Sequence, residues 1–566
     1  MKRRGSVFIL LMISTLIFSG CGNTMTVEDS PAPNRTSVKN QGEVWKNLIE
    51  EAETPEGEDT SKNKKDVLLG SGEGSPELIS TYFDNSKYMN DGSTLYFQCF
   101  GNHILTTEAS GQKYPKLSET LKAMADEEER VFKEEVVDND REAQDFAKQM
   151  EGENGGGAYY SRYAEDFVKR VDDKCLSIVR ITNGFMGGAH PDYSYETYNI
   201  DVATGKLVSL SSVVSDKEKL DEILIKKLEE EYSDVEFFGL EDSLKDYRMD
   251  MVLSGEDQEG NVVYAYDFTL DPDGVSFYFS PYGISPYVYG DQVVKILYDE
   301  EPELFTGKYA VEGAYISYIT ELDNKCGING KAEKIHIARD DYDESGAFGT
   351  LIIEKGAASL EIKETDCFNQ TSFIVHTASG KDYLYSFANM IDDLRKLYVT
   401  ELGSGGPVQV KPQEELYYNY RDYYDAESSM YGVYLPVYPE DMDLSIRCDL
   451  LSTYSAYAKF EAGSDGIPVQ KDKYLTIPED LFVLTSKAAL DTPEVDEEGN
   501  VKDKDKPLHI AMGEDYTLYR TDGKGIVDAK LSDGKIVRLE VSEELPHKIN
   551  GVISEDKLFD GMHYAG

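Results

Sequence analysis

The sequence predicts an α+β N-terminal domain, an antiparallel sheet with packed helices, followed by a β-rich C-terminal half. Before residue 303, amphipathic helical patterns are interspersed with short β-rich runs, which is typical of an α+β unit. After about residue 305, short strands alternate with turns and helical periodicity becomes sparse. The 566 residues are 40% hydrophobic and 11% aromatic, enough for packed cores, which excludes a wholly disordered chain.

The first residues have the parts of a bacterial signal peptide. A basic run at 2–4 precedes a mostly apolar stretch at 7–18, which is shorter than the about 20 residues that span a bilayer. Phe-Ser-Gly-Cys at 18–21 resembles a lipobox, in which the chain is cut before the cysteine and diacylglycerol is attached to its sulfur. We therefore expect a signal peptide over 1–20 and a lipid on Cys21 that holds the protein at the outer face of the cell membrane. The alternative is an ordinary secreted protein or a signal anchor.

Residues 21–78 are expected to form a flexible, lipid-anchored tether. They are rich in Pro, Ser, Gly, Glu and Lys and show little apolar periodicity. The single tryptophan, Trp45, lies in a short run that favours local residual structure in a spacer over a docking helix. No second apolar run of about 18 residues follows, so attachment to the membrane rests on the lipid.

Residues 79–303 are predicted to form the α+β domain. Apolar residues recur at helical spacing over 115–150, and Ser215 with Glu218 has the spacing of a capping box before a second helix. Asp-Pro-Asp-Gly at 271–274 is a strong turn signal between two strand-like runs. The other expected elements are strands at 93–100, 175–182, 262–270 and 275–279 and a glycine-rich loop at 151–158.

Beyond this domain the chain is predicted to contain two β-rich domains, 306–405 and 412–566. A Gly- and Pro-rich segment at 402–412 marks the boundary between them. The charged stretch at 491–507 predicts an exposed loop. Turn signals divide 512–539 into short runs, which predicts a small barrel of SH3-like type at the end of the chain.

The charge of the chain restricts its partners. It has 107 Asp and Glu against 57 Lys and Arg, a formal net charge of −50. Such a field repels phosphate, which excludes a nucleic-acid binder that works by neutralising phosphates. A basic protein fits the field, and solubility alone is the alternative explanation of the charge.

Five cysteines remain after Cys21, an odd number at wide spacing and without a CxxC pair. This excludes a dense disulfide framework and a zinc site of the usual spacing. Cys99 with Cys175, and Cys326 with Cys367, could each form a bridge. Buried free thiols are the alternative, and the sequence leaves both open.

No motif of an enzyme stands out. The chain has no GxSxG, HExxH or Walker sequence, and its seven histidines show no ligand spacing. The acidic runs at 340–344 and 441–443 do not fit the EF-hand pattern and are better explained as solvated loops. We therefore expect no catalytic activity, no cofactor and no metal.

Two blocks of Gly, His and Tyr residues provide the candidate binding site. The first, at 187–206, begins Gly-Gly-Ala-His-Pro, and the second, at 277–290, contains Ser-Pro-Tyr and Ser-Pro-Tyr again. The candidate binding residues are Gly187, Gly188, His190, Tyr193, Tyr195, Tyr278, Tyr282 and Tyr287. The glycines permit backbone angles that a Cβ would block, and the tyrosines offer flat apolar faces with a hydroxyl. Building the fold is the alternative role for both blocks, and His190 is either a base or a hydrogen-bonded structural residue.

These blocks resemble the extracellular domain of lysozyme-sensing anti-sigma factors of the RsiV type. The same module accompanies the catalytic domain of peptidoglycan deacetylases of the PdaC type. The resemblance covers about 79–303 and implies non-enzymatic binding of lysozyme or another basic envelope protein; binding of wall glycan is the alternative. The sequence lacks the sigma-binding, transmembrane and deacetylase parts of these proteins, so neither signalling nor catalysis is implied. Gly283 replaces a larger residue of the related sequences, which leaves the shape of its loop open.

Overall fold

The computed structural model of the protein describes residues 66–69, 74–150, 159–249, 255–256, 262–311, 313–319, 325–328, 331–390, 395–413, 415–425, 430–434, 436, 438–477, 482–503 and 505–564. The predicted signal peptide, Cys21, Trp45 and the loop at 151–158 lie outside these residues. Within the described part of the chain, no helix has both the length and the apolar character needed to cross a membrane.

The N-terminal domain begins with a seven-stranded sheet and two helices. These elements are β1 (Asp66–Leu69), β2 (Leu78–Asp84), β3 (Lys87–Tyr88), β4 (Leu95–Thr106), α1 (Glu108–Lys113), α2 (Pro115–Met150), β5 (Tyr160–Val171), β6 (Cys175–Phe185) and β7 (Asp192–Asp201). The strand order is β1-β2-β4-β5-β6-β7, with β3 on β4. The expected antiparallel sheet is corrected at one pair, because β4 and β5 run parallel. A parallel pair needs a long crossover, which α1 and α2 supply.

Helix α2 confirms the helix predicted at 115–150. Its apolar face packs against the sheet: Leu117, Leu121 and Met124 are at most 6% exposed and lie in one cluster with Ile178 and Ile200. Full burial of such a side chain contributes about 1.5–3 kcal/mol. The helix is therefore held by its contact with the sheet, as the periodicity predicts.

Strand β1 lies inside the segment predicted to be a tether. It pairs antiparallel with β2 from Asp66 opposite Thr81 to Leu69 opposite Leu78. The folded part of the chain thus begins before residue 79. Four residues carry too little periodicity to predict a strand, although its partner is the next strand along the chain.

The second layer of the domain contains the other predicted helix and the predicted hairpin. Its elements are α3 (Lys217–Glu231), α4 (Leu240–Lys245), β8 (Tyr247–Arg248), β9 (Gly255–Glu256), β10 (Val262–Ala265), β11 (Asp267–Leu270), β12 (Gly274–Phe279) and β13 (Gln292–Leu297). The hairpin is confirmed, with Leu270 opposite Val275. The capping box is wrong by one residue: Asp216 is the N-cap of α3, and its Oδ1 accepts the Lys219 N–H at 3.0 Å.

The two sheets of this domain pack face to face. Val179 and Tyr195 of the first sheet form one buried cluster with Tyr278 and Val293 of the β11–β13 sheet. The backbone N–H of Leu270 donates to side-chain oxygens of the first sheet at 2.9 and 3.0 Å. Helix α3 packs on the far side of β12 and β13. The layers therefore follow the order α2, first sheet, second sheet, α3.

The next part of the chain forms two β-sheets that share a core. The strands are β14 (Tyr315–Ile319), β15 (Lys325–Ile328), β16 (Lys331–Tyr342), β17 (Phe348–Lys355), β18 (Ala358–Cys367), β19 (Asn369–His376), β20 (Asp382–Asn389), β21 (Arg395–Gly403) and β22 (Gly406–Val410). Their orders are β14-β19-β20-β21-β22 and β15-β16-β17-β18. Phe348 and Ile353 of one sheet meet Ile374 and Leu384 of the other.

The rest of the chain is dominated by a 12-stranded sheet. Its elements are β23 (Tyr418–Asp425), β24 (Met430–Tyr434), β25 (Met442–Asp449), β26 (Thr453–Ala462), β27 (Pro468–Gln470), β28 (Leu475–Thr476), β29 (Val483–Ser486), β30 (Leu490–Thr492), β31 (Glu494–Val495), β32 (Leu508–Ile510), β33 (Asp515–Thr521), β34 (Ile526–Leu531), β35 (Ile536–Glu540), β36 (Lys548–Ile549), β37 (Ile553–Ser554), α5 (Glu555–Leu558) and β38 (Phe559–Asp560). Strands β30 with β32 and β36 with β37 form separate pairs.

Three expectations for this half differ from the structure. One buried cluster runs from Ile316 to Phe559, so the segment at 402–412, which forms the β21–β22 hairpin, does not separate two cores. The strands of 512–539 belong to the 12-stranded sheet, so they form no separate SH3-like barrel. The stretch at 491–507 contains paired strands and the buried Val495, and is thus only partly an exposed loop. Each difference arises from pairing between distant segments, which local patterns do not report.

The two halves of the chain contact each other. The Tyr438 hydroxyl lies 2.8 Å from Ser75 Oγ, and the Arg170 guanidinium donates to the carbonyl of Tyr309. All five cysteines of the described residues are free and buried, so neither of the two considered disulfides is present there.

Candidate functional site

The two sequence blocks meet at one edge of the N-terminal domain. The first block forms the turn between β6 and β7, β7 itself and the turn after it, and the second forms the end of β12 and the loop before β13. The Tyr287 hydroxyl donates to the Pro191 carbonyl at 2.9 Å, and His190 Nδ1 lies 3.0 Å from the same oxygen. This shared acceptor holds the two loops together.

His190, Tyr282 and Tyr287 form a surface that we call the aromatic platform. The His190 ring stacks on Tyr287 with centroids 3.7 Å apart and an angle of 21°, and His190 Nε2 lies 3.3 Å from the Tyr282 hydroxyl. The ring centroids of the two tyrosines are 5.6 Å apart. Tyr282 is 43% exposed and the neighbouring Val288 is 80% exposed. The fold thus brings three predicted residues together in an aromatic patch at the surface, with Tyr282 exposed and His190 and Tyr287 half-buried.

The backbone of both loops is constrained. Gly187 has a φ of +76°, and a Cβ there would lie 3.0 Å from the Tyr160 ring, so this position needs the backbone freedom of glycine. Gly188 shows no such constraint, because a Cβ would have no close neighbour other than the His190 carbonyl at 3.8 Å.

In the second loop the left-handed residue is Tyr282 itself, with a φ of +66°. A Cβ at Gly283 would lie 2.8 Å from the Ser280 carbonyl oxygen, so the loop shape requires glycine at 283. A bulky residue in the left-handed region stores strain of about 1–3 kcal/mol, and such strain clusters at binding and catalytic sites. The loop therefore presents the Tyr282 ring at an energetic cost.

Tyr195 and Tyr278 lie behind the platform and support it. They are 6% and 5% exposed, with ring centroids 5.0 Å apart. The direct binding role expected for these two residues is therefore corrected to a packing role. Tyr195 also ties the loops together, because its backbone N–H donates to Ser280 Oγ at 3.1 Å.

Two carboxyl groups that sequence reasoning missed border the site. The Tyr193 hydroxyl donates to the Tyr195 hydroxyl at 3.2 Å, and the Tyr195 hydroxyl donates to Asp291. Burial raises the pKa of Asp291, and burial raises the pKa of Glu165 on β5 to about 7. Neither residue stands in a recognisable motif. They approach Tyr193 only because of the way the strands pair, which the sequence does not show.

A second group of polar residues lies inside the domain, between α2 and the first sheet. His103, Glu128 and Asp166 each offer a possible metal-ligand atom within 4.8 Å of one another. However, Arg180 already binds both carboxylates, at 2.6 Å from Glu128 and 2.7 Å from Asp166. The guanidinium already pairs with oxygens of both carboxylates, and its charge opposes a divalent cation at the same oxygens.

Ser317, His376 and Asp382 form a hydrogen-bonded chain in the other half. His376 Nε2 lies 3.2 Å from Ser317 Oγ, and its Nδ1 lies 2.8 Å from Asp382 Oδ1. The order matches a nucleophile, a base and an acid, but the three residues are 2%, 4% and 7% exposed. The chain therefore joins β14, β19 and β20 across the sheet. No spacing in the sequence predicted it.

The second block of the platform lies inside a recognised domain. A family model described as a protein of unknown function, DUF3298, matches residues 212–299. Residues 212–299 form a DUF3298 domain. This module occurs in bacterial envelope proteins. The DUF3298 domain runs from the turn before α3 to the end of β13, so it carries Tyr282 and Tyr287, whereas His190 precedes it.

Two solved structures are similar to part of the chain. A DUF3298 family member from Bacteroides fragilis is 18% identical with a TM-score of 0.30, over 43% of this chain and 95% of its own. A DUF3298 family protein from Pseudomonas aeruginosa PAO1 is 15% identical with a TM-score of 0.24, over 44% and 98%. No curated protein matches the chain. The domain assignment therefore rests on the family match.

Proposed function

We propose that the protein is a lipid-anchored, non-enzymatic binding protein of the bacterial envelope whose aromatic platform holds a basic protein such as a lysozyme. The observation that carries the proposal is the platform itself, three aromatic rings on two interlocked loops, of which the DUF3298 loop holds Tyr282 in a left-handed conformation. Tyrosine is enriched among the residues that dominate binding energy at protein interfaces.

The charge around the platform agrees with a basic partner. The pKa of Tyr287 is raised by burial and by the nearby Asp192 charge, and Asp291 accepts a hydrogen bond from Tyr195 behind the platform. The net charge of −50 adds a long-range field of the same sign. Complementary charge raises the rate of association and suppresses wrong partners, while the aromatic contacts supply the affinity.

The proposal is tested by calorimetry of residues 22–566 with a basic lysozyme. Tyr287→Ser removes the stacked ring, and Tyr282→Asn removes the exposed ring while keeping a residue that tolerates a positive φ. Truncating an interface hot spot costs about 2 kcal/mol or more, so we expect each variant to bind about 30-fold more weakly. Tyr88→Ser is the matched control, because Tyr88 is 47% exposed and lies on β3. Equal affinity in all four proteins would contradict the proposal.

Wall glycan is the second candidate ligand, because an exposed tyrosine face also stacks on sugar rings. Its test is a pull-down by purified peptidoglycan. Retention at high salt that is lost in Tyr282→Asn favours the glycan, since stacking is screened far less than charge pairing. Retention that disappears with salt contradicts stacking on the glycan.

A further inference from the structure

The polar cluster under α2 is short of positive charge. Glu128 and Asp166 carry two carboxylates, and Arg180 carries one guanidinium; the three side chains are at most 7% exposed. A buried excess of negative charge is costly, and proteins relieve it by binding a proton. The cluster therefore needs one more positive charge in the folded state.

His103 is placed to supply that charge. Its Nδ1 lies 3.0 Å from Glu128 Oε2, and its Nε2 lies 3.8 Å from Glu129 Oε1. Both ring nitrogens face carboxylate oxygens, Nε2 at ion-pair distance rather than hydrogen-bond distance. An imidazole carries hydrogen on both nitrogens, and a positive charge, only when it is protonated. The Phe83 ring stacks on the imidazole at 4.6 Å and keeps it from turning away.

Strand β2 contributes the Phe83 ring to this pair, and the other elements around it contribute charged or titratable groups. Helix α2 contributes Glu128 and Glu129, the latter paired with Lys133 at 2.9 Å, and strands β4, β5 and β6 contribute His103, Asp166 and Arg180. On β7, Glu196 accepts a hydrogen bond from Tyr198 at 2.6 Å and lies 3.9 Å from Arg180. On β5, the charge of Arg162 lowers the pKa of Glu128 without a direct contact, and the Arg162 guanidinium pairs with Glu135 at 3.2 Å. The acidic groups outnumber the basic ones, which favours retention of a proton.

We propose that His103 and Glu128 hold one proton in the folded domain, and that loss of this proton as the pH rises loosens α2 from the sheet. The cluster is thus a pH-sensitive switch between the helix and the sheet. No bond is made or broken other than the one to the proton, which passes to solvent.

The direction of the effect follows from the two states of the chain. Burial raises the pKa of Glu128 from its ordinary value of 4.5 to about 7, and burial also raises that of Asp166. A group whose pKa is higher in the folded state stabilises it below its unfolded pKa, and this contribution is lost as the pH rises through the folded pKa. Protection of α2 should therefore decrease between pH 5 and 8.

The test is hydrogen exchange of α2 amides in the full chain from pH 5 to 8, corrected for intrinsic exchange rates. In the wild-type protein we expect the opening constant of α2 to rise about tenfold or more over this range. Glu128→Gln needs no shared proton, so its profile should be flat. Glu142→Gln, at an exposed position of the same helix, should keep the wild-type slope. A Glu128→Gln profile with the wild-type slope would overturn the switch.

A direct measurement covers the case in which the variant does not fold. The ¹⁵N shifts of the His103 ring and the ¹³C shift of the Glu128 carboxyl report their protonation in the wild-type protein. We expect one common titration step and an added proton on the pair at pH 6. A neutral His103 beside an ionised Glu128 throughout pH 5–8 would overturn the proposal.

Discussion

Replacing Lys295 with methionine is predicted to loosen the hairpin that carries the aromatic platform. Lys295 lies on β13, and its Nζ is 3.0 Å from Asp271 Oδ2 and 2.8 Å from Asp273 Oδ1. The three side chains are at most 4% exposed. Asp273 Oδ2 also accepts the N–H of Gly327, so the same cluster connects the DUF3298 domain to β15. Removal of the Lys295 ammonium leaves the Asp271 and Asp273 carboxylates buried without the positive charge that pairs with both of them.

The expected cost is about 3–5 kcal/mol, because breaking a buried ion pair leaves an uncompensated charge. This corresponds to an opening constant about 150- to 5000-fold larger. The pKa of Asp271 is held below its ordinary value in the wild-type protein, where burial opposes the shift and the Lys295 charge drives it. The stabilisation that Lys295 gives is therefore present at pH values above the pKa of Asp271 in the unfolded chain. It is lost as the pH falls through the pKa of Asp271 in the folded protein.

The assay is hydrogen exchange of the β12 and β13 amides in the full chain, at pH 7 and at lower pH. We expect much faster exchange in Lys295→Met at pH 7, and a smaller difference from wild type as Asp271 takes up a proton. Lys245→Met is the control, since its ion pair with Asp242 is exposed and such pairs contribute at most about 1 kcal/mol. A change below about 1 kcal/mol in Lys295→Met, or an equal change in the control, would refute the reasoning.

Three further predictions concern single positions. Glu165→Gln should stabilise the chain by about 2 kcal/mol at pH 8, with no gain below pH 4.5, because burial raises the pKa of Glu165 to about 7; urea unfolding at both pH values measures this, and equal stability at pH 8 would contradict it. Gly205→Ala should cost about 2 kcal/mol or more, because φ is +67° and a Cβ would lie 2.4 Å from the Lys116 carbonyl oxygen; an unchanged unfolding midpoint would contradict this. The thiols of Cys99 and Cys175 should resist alkylation in the folded protein at pH 8, because burial raises the pKa of each to about 12; mass spectrometry that shows rapid labelling would contradict this.

Local patterns in the sequence predicted the elements that carry their own signal. The periodicity of 115–150 predicted α2, and Asp-Pro-Asp-Gly predicted the turn between β11 and β12, because helical spacing and turn chemistry are properties of neighbouring residues. Strand β1 escaped prediction, since its four residues are too few to show a period and the segment around them is rich in polar residues. The shared core of the C-terminal half also depends on contacts between distant strands.

The candidate site shows the same division. The two blocks predicted His190, Tyr282 and Tyr287, which the fold brings together at the surface. Alternation along a strand indicates two faces, but it does not indicate which face a second sheet will cover. Tyr195 and Tyr278 were therefore expected at the surface and lie between the sheets.

Binding of residues 22–566 to a basic lysozyme across a salt series tests the central claim, that the aromatic platform binds a basic protein. The account predicts saturable one-to-one binding that weakens with salt, persists near physiological ionic strength of about 0.15 M, and is reduced in Tyr287→Ser. The absence of binding at low salt, or binding that vanishes with modest salt and is unchanged in Tyr287→Ser, would contradict it.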